Sequence, residues 1–166
     1  MSVDAAVRRS TSGSALRQVM RQHPAGVVVI TTGCEEPTGF CSTSLTSISL
    51  DPPTVSFAVC ARSASGRAWA DAEVGLVHFL SADQRDLAAR FARSGPEKFA
   101  NVTRWRAGPE GQPLLEGVTA WLLVRPSARL MVGDHLMVIC DVEVTNVRAP
   151  TPPLIYHNGG YHAIPV

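Results

Sequence analysis

The hydrophobic pattern of this chain is dominated by short apolar runs that are rich in β-branched residues and separated by turn residues. Such runs predict strands, which cover residues 27–32, 39–49, 54–60, 74–80, 118–124, 129–132, 135–147 and 154–156. The strands do not alternate regularly with long helices, so a doubly wound parallel sheet is not expected. The pattern predicts a mainly β fold, an antiparallel barrel with peripheral helices.

Helical spacing of apolar residues is confined to short segments. Leu16, Val19, Met20 and His23 recur at i, i+3, i+4 and i+7, and they predict a helix over residues 14–23. Pro24 and Gly26 follow directly and are expected to end this helix.

Two further helix starts carry capping signals. Ser81 followed by Gln84 predicts a capping box, and Ser94 followed by Glu97 predicts a second one. Residues 63–72 predict another short helix. None of these segments is long, which agrees with helices at the periphery of a sheet.

Length and composition limit the classes of protein that fit. The chain has 166 residues, 45% hydrophobic and 17% charged residues and a formal net charge of +1, as expected for one globular domain. We expect residues 14–166 to form that domain and residues 1–13, which are rich in Ser and Arg, to be a loose arm. Because basic residues are scattered and no apolar run has membrane-spanning length, neither a nucleic-acid partner nor a membrane partner is expected.

The cysteines and histidines give no sign of a metal site. Cys34, Cys41, Cys60 and Cys140 form no C-x-x-C pair and no cluster with zinc spacing. We expect free thiols, a reducing cytoplasmic location and no bound metal. The sequence also lacks G-x-G-x-x-G, P-loop and G-x-S-x-G motifs, so it predicts neither a Rossmann or P-loop nucleotide site nor a nucleophile elbow.

A hydroxyl-rich stretch covers residues 39–53 and places Ser and Thr where a core strand normally uses Val, Ile and Phe. Hydroxyls on successive strand residues point to both faces of a sheet, and buried hydroxyls need hydrogen-bond partners. A phosphate, or the polar edge of a flavin or pterin, would supply such partners. A solvent-exposed edge strand would not need them, and the segment alone leaves both interpretations open.

Two other polar segments also allow a functional and a structural interpretation. Residues 62–67 lie at a strand-to-helix junction, where free N–H groups and Ser hydroxyls either bind phosphate or simply cap the helix. Gly133 and Asp134 suit a tight turn in front of His135. That histidine is an exposed hairpin residue unless a cofactor lies nearby.

Together these pieces resemble the flavin reductase-like family, the short-chain reductase components of two-component flavin monooxygenases. The resemblance extends over nearly the whole chain after the arm. Its marks occur in the order of the family, at residues 20–32, 39–53, 63–65, 87–92, 98–100, 113–117, 133–135 and 153–161. The block at residues 39–53, combined with Gly-Asp-His at 133–135, is the most specific part.

The resemblance implies a split β-barrel of the FMN-binding, Greek-key type that forms a homodimer, with FMN or FAD near the subunit interface. It implies a reductase that uses NADH or NADPH and supplies reduced flavin to a partner monooxygenase. The residues implied to contact the flavin are Gly39, Phe40, Cys41, Thr43, Ser44, Ala58, Val59, Cys60, Ser63, Ala64, Ser65 and Phe91. His135 is implied to lie near the nicotinamide as the catalytic residue, where it orients that ring or exchanges a proton.

The chain departs from the family pattern at two places. Gly66 and Arg67 stand where relatives often have Trp-Pro, which changes the expected shape of the phosphate loop. Gly75 stands where a Phe is usual and predicts a looser barrel wall. Two alternatives remain: a flavin-binding carrier or sensor without turnover, and a split-barrel oxidase of a pyridoxamine-phosphate-like compound, which needs more Arg and Lys around a substrate phosphate.

Overall fold

The computed structural model describes residues 11–100, 103–148 and 151–164, so most of the predicted arm lies outside the described residues. The helices are α1 (Gly13–Met20), α2 (Ala64–Asp71) and α3 (Arg85–Ala92), with 3-10 turns at Ala82–Gln84 and Pro96–Phe99. The strands are β1 (Ala25–Gly26), β2 (Val28–Thr32), β3 (Thr38–Ser42), β4 (Thr46–Leu50), β5 (Pro53–Cys60), β6 (Gly75–Phe79), β7 (Trp105–Ala107), β8 (Pro113–Leu115), β9 (Ala120–Val132), β10 (His135–Val147), β11 (Leu154–His157) and β12 (Gly160–Ala163).

A seven-stranded sheet carries the fold. Its strand order is β3-β2-β6-β9-β10-β5-β4, and every neighbouring pair is antiparallel. Because β3 and β4 lie at the two ends and do not pair with each other, the sheet stays open rather than closing into a complete barrel. The predicted mainly β architecture with peripheral helices is confirmed.

The strand β2 is buried on both faces, which explains its continuous β-branched run. Val28 and Ile30 pack into one hydrophobic cluster together with Phe57 of β5. Val29 packs into a second cluster on the opposite face, together with Phe91 of α3. Burying a side chain of this size stabilises the fold by about 1.5–3 kcal/mol. The packing of β2 and α3 therefore holds the segments around them in place.

The position of Gly75 contradicts the prediction of a looser barrel wall. A Cβ added at Gly75 would lie 2.6 Å from a ring carbon of Trp69 and 2.7 Å from the carbonyl oxygen of Thr31. Trp69 of α2 is fully buried, and its ring packs edge-on against Phe57 with centroids 4.8 Å apart. The indole therefore fills the space that a phenylalanine at residue 75 would occupy, and the wall is tightly packed.

The first helix differs from its prediction in length and in burial. α1 begins after Ser12, whose Oγ accepts a hydrogen bond from the Ala15 N–H at 3.2 Å. It ends at Met20, three residues before the predicted end. None of its residues is buried, so its apolar stripe is exposed on this single chain. No helix among residues 11–100, 103–148 and 151–164 is long and apolar enough to cross a bilayer.

One of the two predicted capping boxes is confirmed and the other is wrong. Ser81 and Gln84 make both hydrogen bonds of a capping box at the start of the first 3-10 turn. The second 3-10 turn begins after Gly95, with no side-chain cap. Gly95 has a φ of 130°, a conformation that side chains rarely adopt, and it separates Ser94 from the start of the turn.

The strand predictions also need three corrections. The predicted strand over residues 39–49 is two strands, β3 and β4, which lie at opposite ends of the sheet. The predicted strands at 118–124 and 129–132 are replaced by one long strand, β9 (Ala120–Val132), which pairs with β10 along its length. Pro126 is accommodated opposite Cys140, next to a register shift, where a missing N–H is tolerated. The strands β1, β7, β8 and β12 were not predicted, because two to four residues are too few to show a periodic pattern. The strand β12 also starts inside the predicted final turn.

Candidate functional site

A cavity lies where β3, the end of β5, the start of α2 and the segment after α3 meet. Its volume is about 820 Å³, within the range of roughly 300–1,000 Å³ that is typical of cofactor sites. All of the predicted site residues except Gly39 line it: Phe40, Cys41, Thr43, Ser44, Ala58, Val59, Cys60, Ser63, Ala64, Ser65, Phe91 and His135.

Gly39 lies directly behind the cavity wall, and its carbonyl oxygen joins three elements. It accepts one hydrogen bond from Ser65 Oγ of α2 at 3.0 Å and another from Lys98 Nζ at 2.8 Å. A Cβ at residue 39 would lie 2.9 Å from the ring of Phe91. A glycine here therefore lets α3 approach β3 closely, and its carbonyl anchors α2 and the second 3-10 turn to the same strand.

The hydroxyl-rich stretch divides into two parts with different surroundings. Residues 40–44 line the cavity, and the second part is the strand β4. Ser44 Oγ accepts from the Ala58 N–H at 2.9 Å and donates to the Ala58 carbonyl at 3.3 Å. Since β4 pairs with β5 only as far as Ser56, the Ser44 hydroxyl takes the place of a strand neighbour beyond that point. The strand β4 itself is mostly exposed, so the edge-strand interpretation applies to this second part.

The first turn of α2 faces the cavity. Ser63 caps this helix, since its Oγ accepts from the Gly66 N–H at 2.9 Å and donates to the Cys60 carbonyl at 2.7 Å. A helix N-terminus has unpaired N–H groups and the positive end of the helix dipole, a combination that favours phosphate. A Cβ at Gly66 would overlap the Cys60 carbonyl oxygen, so the departure at this position gives the loop a tight turn that the helix start requires.

Two cations in the cavity wall were not among the predicted site residues. Arg93 and Lys98 follow α3 and line the cavity. Partial burial lowers the pKa of the Lys98 ammonium, and burial raises the pKa of the neighbouring Cys41 thiol. The guanidinium of Arg93 gives the wall a positive charge, and the raised pKa keeps the Cys41 thiol neutral, so the wall favours an anionic ligand.

The missed lining residues form two groups, one on or just before β3 and one from the end of α3 into the loop that follows it. They are Pro37, Thr38, Ser42, Ala92, Arg93, Ser94, Gly95, Lys98 and Phe99. The Phe99 ring packs edge-on against Phe91 with centroids 5.2 Å apart, which brings the loop next to β3. The family motif at residues 98–100 lies in this loop, but no role for Lys98 was predicted from the sequence.

His135 lies at the rim of the cavity and is half exposed. Its Nδ1 is 2.7 Å from Asp134 Oδ1, and this hydrogen bond lowers the pKa of the Asp134 carboxyl. An ionised carboxylate only accepts hydrogen bonds, so Nδ1 carries the proton and Nε2 is the nitrogen with a free lone pair in the neutral ring.

Two further histidines, His157 and His162, lie near each other away from this cavity. The rings of His157 and His162 have centroids 6.2 Å apart across the final turn. In the described part of the chain, no group of three or more His, Cys, Asp or Glu side chains is placed to hold a metal ion.

Fold and cavity together define a mainly β protein with a site of cofactor size. A family model described as flavin reductase like domain matches residues 20–165. The NADH:FMN oxidoreductase of Rhodococcus erythropolis is 41% identical over 156 residues, which cover 88% of this chain and 79% of that protein. The chain belongs to the flavin reductase-like family.

Two further relatives agree with this assignment. The HsaB reductase subunit of a flavin-dependent monooxygenase from Mycobacterium tuberculosis is 36% identical over 154 residues, covering 89% of this chain and 80% of that protein. The solved structure of the Streptomyces globisporus C-1027 NADH:FAD oxidoreductase SgcE6, in complex with NAD and FAD fragments, aligns with a TM-score of 0.87 and 28% identity. That alignment covers 92% of each chain, and the expected split barrel is confirmed.

Proposed function

We propose that this chain is an NAD(P)H-dependent flavin reductase that binds FMN or FAD in the cavity and supplies reduced flavin to a partner monooxygenase. The observation that carries the proposal is the convergence of segments 40–44, 58–65, Phe91 and His135 on one cavity of about 820 Å³. The names of the Rhodococcus and Mycobacterium relatives support the same reaction and the same kind of partner.

The cavity fits a flavin in charge and in shape. The start of α2, at Ala64 and Ser65, offers N–H groups to the phosphate end, and Lys98 adds a positive charge. Val59 and Phe91 give the wall an apolar surface for a flat ring. Bound flavin supplies the redox chemistry, since it takes a hydride from a nicotinamide ring in contact with it. The protein residues position and orient the two rings.

His135 is the residue that we propose to act on the nicotinamide side. It lies at the cavity rim, and its hydrogen bond to Asp134 fixes the ring orientation. Its free Nε2 then either accepts a hydrogen bond from the carboxamide of the nicotinamide or exchanges a proton. The hydrogen bonds from Ser65 and Lys98 to the Gly39 carbonyl hold β3 in place behind the proposed flavin site.

We further propose a homodimer in a reducing cytoplasm, with one domain over residues 14–166 after an arm of residues 1–13. Exposed apolar side chains adjoin His135 on the β9–β10 hairpin: Leu130, Met131, Val132 and Met137. A second copy of the chain is the occupant we propose for this surface, because the surface borders the cavity where the family resemblance places a subunit interface. The four cysteines are free thiols, which fits a reducing compartment.

The reaction is tested by mixing the purified protein with NADH or NADPH and with FMN or FAD. We expect oxidation of the nicotinamide, followed at its absorbance band, with at least one of the four pairings. Absence of turnover with all four pairings would contradict the reductase proposal. Flavin retained through purification without turnover would instead support a carrier or sensor.

The assigned role of His135 is tested with His135→Ala. Loss of one hydrogen bond of about 1 kcal/mol should raise the KM for the nicotinamide about fivefold. The Kd for flavin, measured by fluorescence titration, should stay within about twofold, because the flavin contacts lie on other segments. An equal loss of flavin and nicotinamide binding would contradict this role, and His157→Ala, outside the cavity, serves as the control.

A further inference from the structure

Cys60 and His135 are direct cross-strand neighbours at the cavity rim. They are register partners between β5 and β10, and the Ala61 N–H donates to the Asp134 carbonyl at 3.1 Å. This pattern identifies them as a non-hydrogen-bonded pair of an antiparallel ladder, in which the Cα atoms lie about 4.5 Å apart and the side chains are close on one face. Both residues line the cavity, so their side chains project from neighbouring strands into the same space.

Asp134 completes a Cys–His–Asp arrangement. Its carboxylate holds His135 Nδ1 at 2.7 Å, which leaves Nε2 to accept a proton. An imidazole that is oriented by a carboxylate can take the proton of a neighbouring thiol, and the resulting thiolate is the nucleophilic form of cysteine. The hydride transfer proposed above uses no such nucleophile.

The other three cysteines lack this combination of exposure and a neighbouring base. Cys34 is exposed, but its thiol donates to the Glu110 carbonyl at 3.2 Å, away from the cavity. Cys140 is buried, and burial raises its pKa to about 12. Cys41 shares the cavity with Cys60, yet burial raises the pKa of its thiol too. Cys60 is exposed and is the cross-strand neighbour of His135.

We propose that Cys60 is a thiol modification site at which hydrogen peroxide switches the enzyme off reversibly. His135 takes the thiol proton, and the sulfur attacks one peroxide oxygen. An S–O bond forms, the O–O bond breaks, and the leaving hydroxide receives the proton from His135, giving a sulfenic acid and water. Sulfur loses two electrons and peroxide gains two. Two equivalents of a small thiol restore Cys60, with release of a disulfide and water.

The modification would affect catalysis through the cavity wall. Cys60 lies between Val59 and the helix cap at Ser63, whose hydroxyl donates to the Cys60 carbonyl. An added polar oxygen on the side chain narrows the cavity beside His135. This effect on activity rests on the proposed reductase function, whereas the reactivity of Cys60 does not.

The experiment treats the full-length protein with hydrogen peroxide, traps sulfenic acid with dimedone and measures each cysteine by mass spectrometry. We expect Cys60 to react at least about tenfold faster than Cys34. His135→Asn should slow the labelling of Cys60 at least about tenfold and leave that of Cys34 unchanged, because the base is lost. Added FMN should protect Cys60 but not Cys34.

Activity is compared before and after peroxide for each variant, relative to its own untreated rate. The parent and Cys34→Ser should lose activity and regain it with a thiol reductant, whereas Cys60→Ser and Cys60→Ala should not respond. Equal labelling of Cys60 and Cys34, or unchanged peroxide sensitivity in both Cys60 variants, would overturn the proposal. Selective Cys60 labelling in a protein that oxidises no NAD(P)H would keep the site and reject the reductase function.

Discussion

Gly66→Ala is expected to weaken flavin binding at least about tenfold and to lower the free energy of unfolding by about 1–3 kcal/mol. The added Cβ would overlap the Cys60 carbonyl oxygen and lie 2.9 Å from the Cα of Ala61. These are backbone atoms, so no side chain can rotate away and the first turn of α2 must move. That movement draws Ser65 away from the Gly39 carbonyl and opens the proposed phosphate end of the cavity.

Fluorescence titration with FMN and chemical denaturation measure the two effects of Gly66→Ala. Gly13→Ala is a matched control, because Gly13 also lies in the first turn of a short helix but has no atom within 4 Å of an added Cβ. That control should be neutral or stabilising by up to about 1 kcal/mol. Flavin affinity that is the same in both variants would show that the turn at Gly66 does not shape the binding site.

His78→Leu is expected to lower the free energy of unfolding by about 2–4 kcal/mol at neutral pH. His78 is fully buried in β6. Its Nε2 accepts from the Leu115 N–H at 3.1 Å, and its Nδ1 lies 3.0 Å from the Val29 carbonyl, to which it donates. The leucine would leave the Leu115 N–H without that acceptor in a buried setting, and the link between β6 and β8 would be lost.

The same histidine makes stability depend on pH in a defined direction. Burial lowers the pKa of His78 from 6.5 to about 4. Between these two pH values the unfolded chain binds a proton that the folded chain does not, so the free energy of unfolding falls as the pH falls. The full contribution is about 3 kcal/mol. It is present above pH 6.5 and lost by about pH 4.

His78→Gln separates the hydrogen bond from the titration. Its amide oxygen can accept from the Leu115 N–H, and it stays uncharged at every pH. We expect His78→Gln to be more stable than His78→Leu at pH 7, and both variants to lose less stability than the parent on acidification. Denaturation curves at several pH values measure this. The same acid slope in the parent and in both variants would assign the pH dependence to other groups.

The local elements were predictable where a few neighbouring residues determine them. The buried β-branched run of β2 and the capping box of Ser81 and Gln84 depend on contacts within one strand or one turn, and both were predicted correctly. The segments that line the cavity were also predictable, because the resemblance covers them in order along the chain. The box at Ser94 failed because Gly95 takes a backbone conformation that the residue pattern does not reveal.

Only the tertiary structure decided which residues from distant segments form hydrogen bonds with each other or pack together. Ser44 was expected to face a ligand, yet its hydroxyl bonds to the backbone of Ala58. Lys98 had no assigned role until the Gly39 carbonyl was found within 2.8 Å of its ammonium group. Gly75 indicated a gap that the buried Trp69 in fact fills.

The physical reason for this division is the range of the interactions. Strand periodicity, helix caps and turn preferences arise between residues a few positions apart, so the sequence by itself determined a mainly β chain and the segments that form its site. Close packing and hydrogen-bond satisfaction act between residues that meet only after folding. They decided which hydroxyls remain free, which cations enter the cavity, and that Cys60 and His135 are neighbours across two strands.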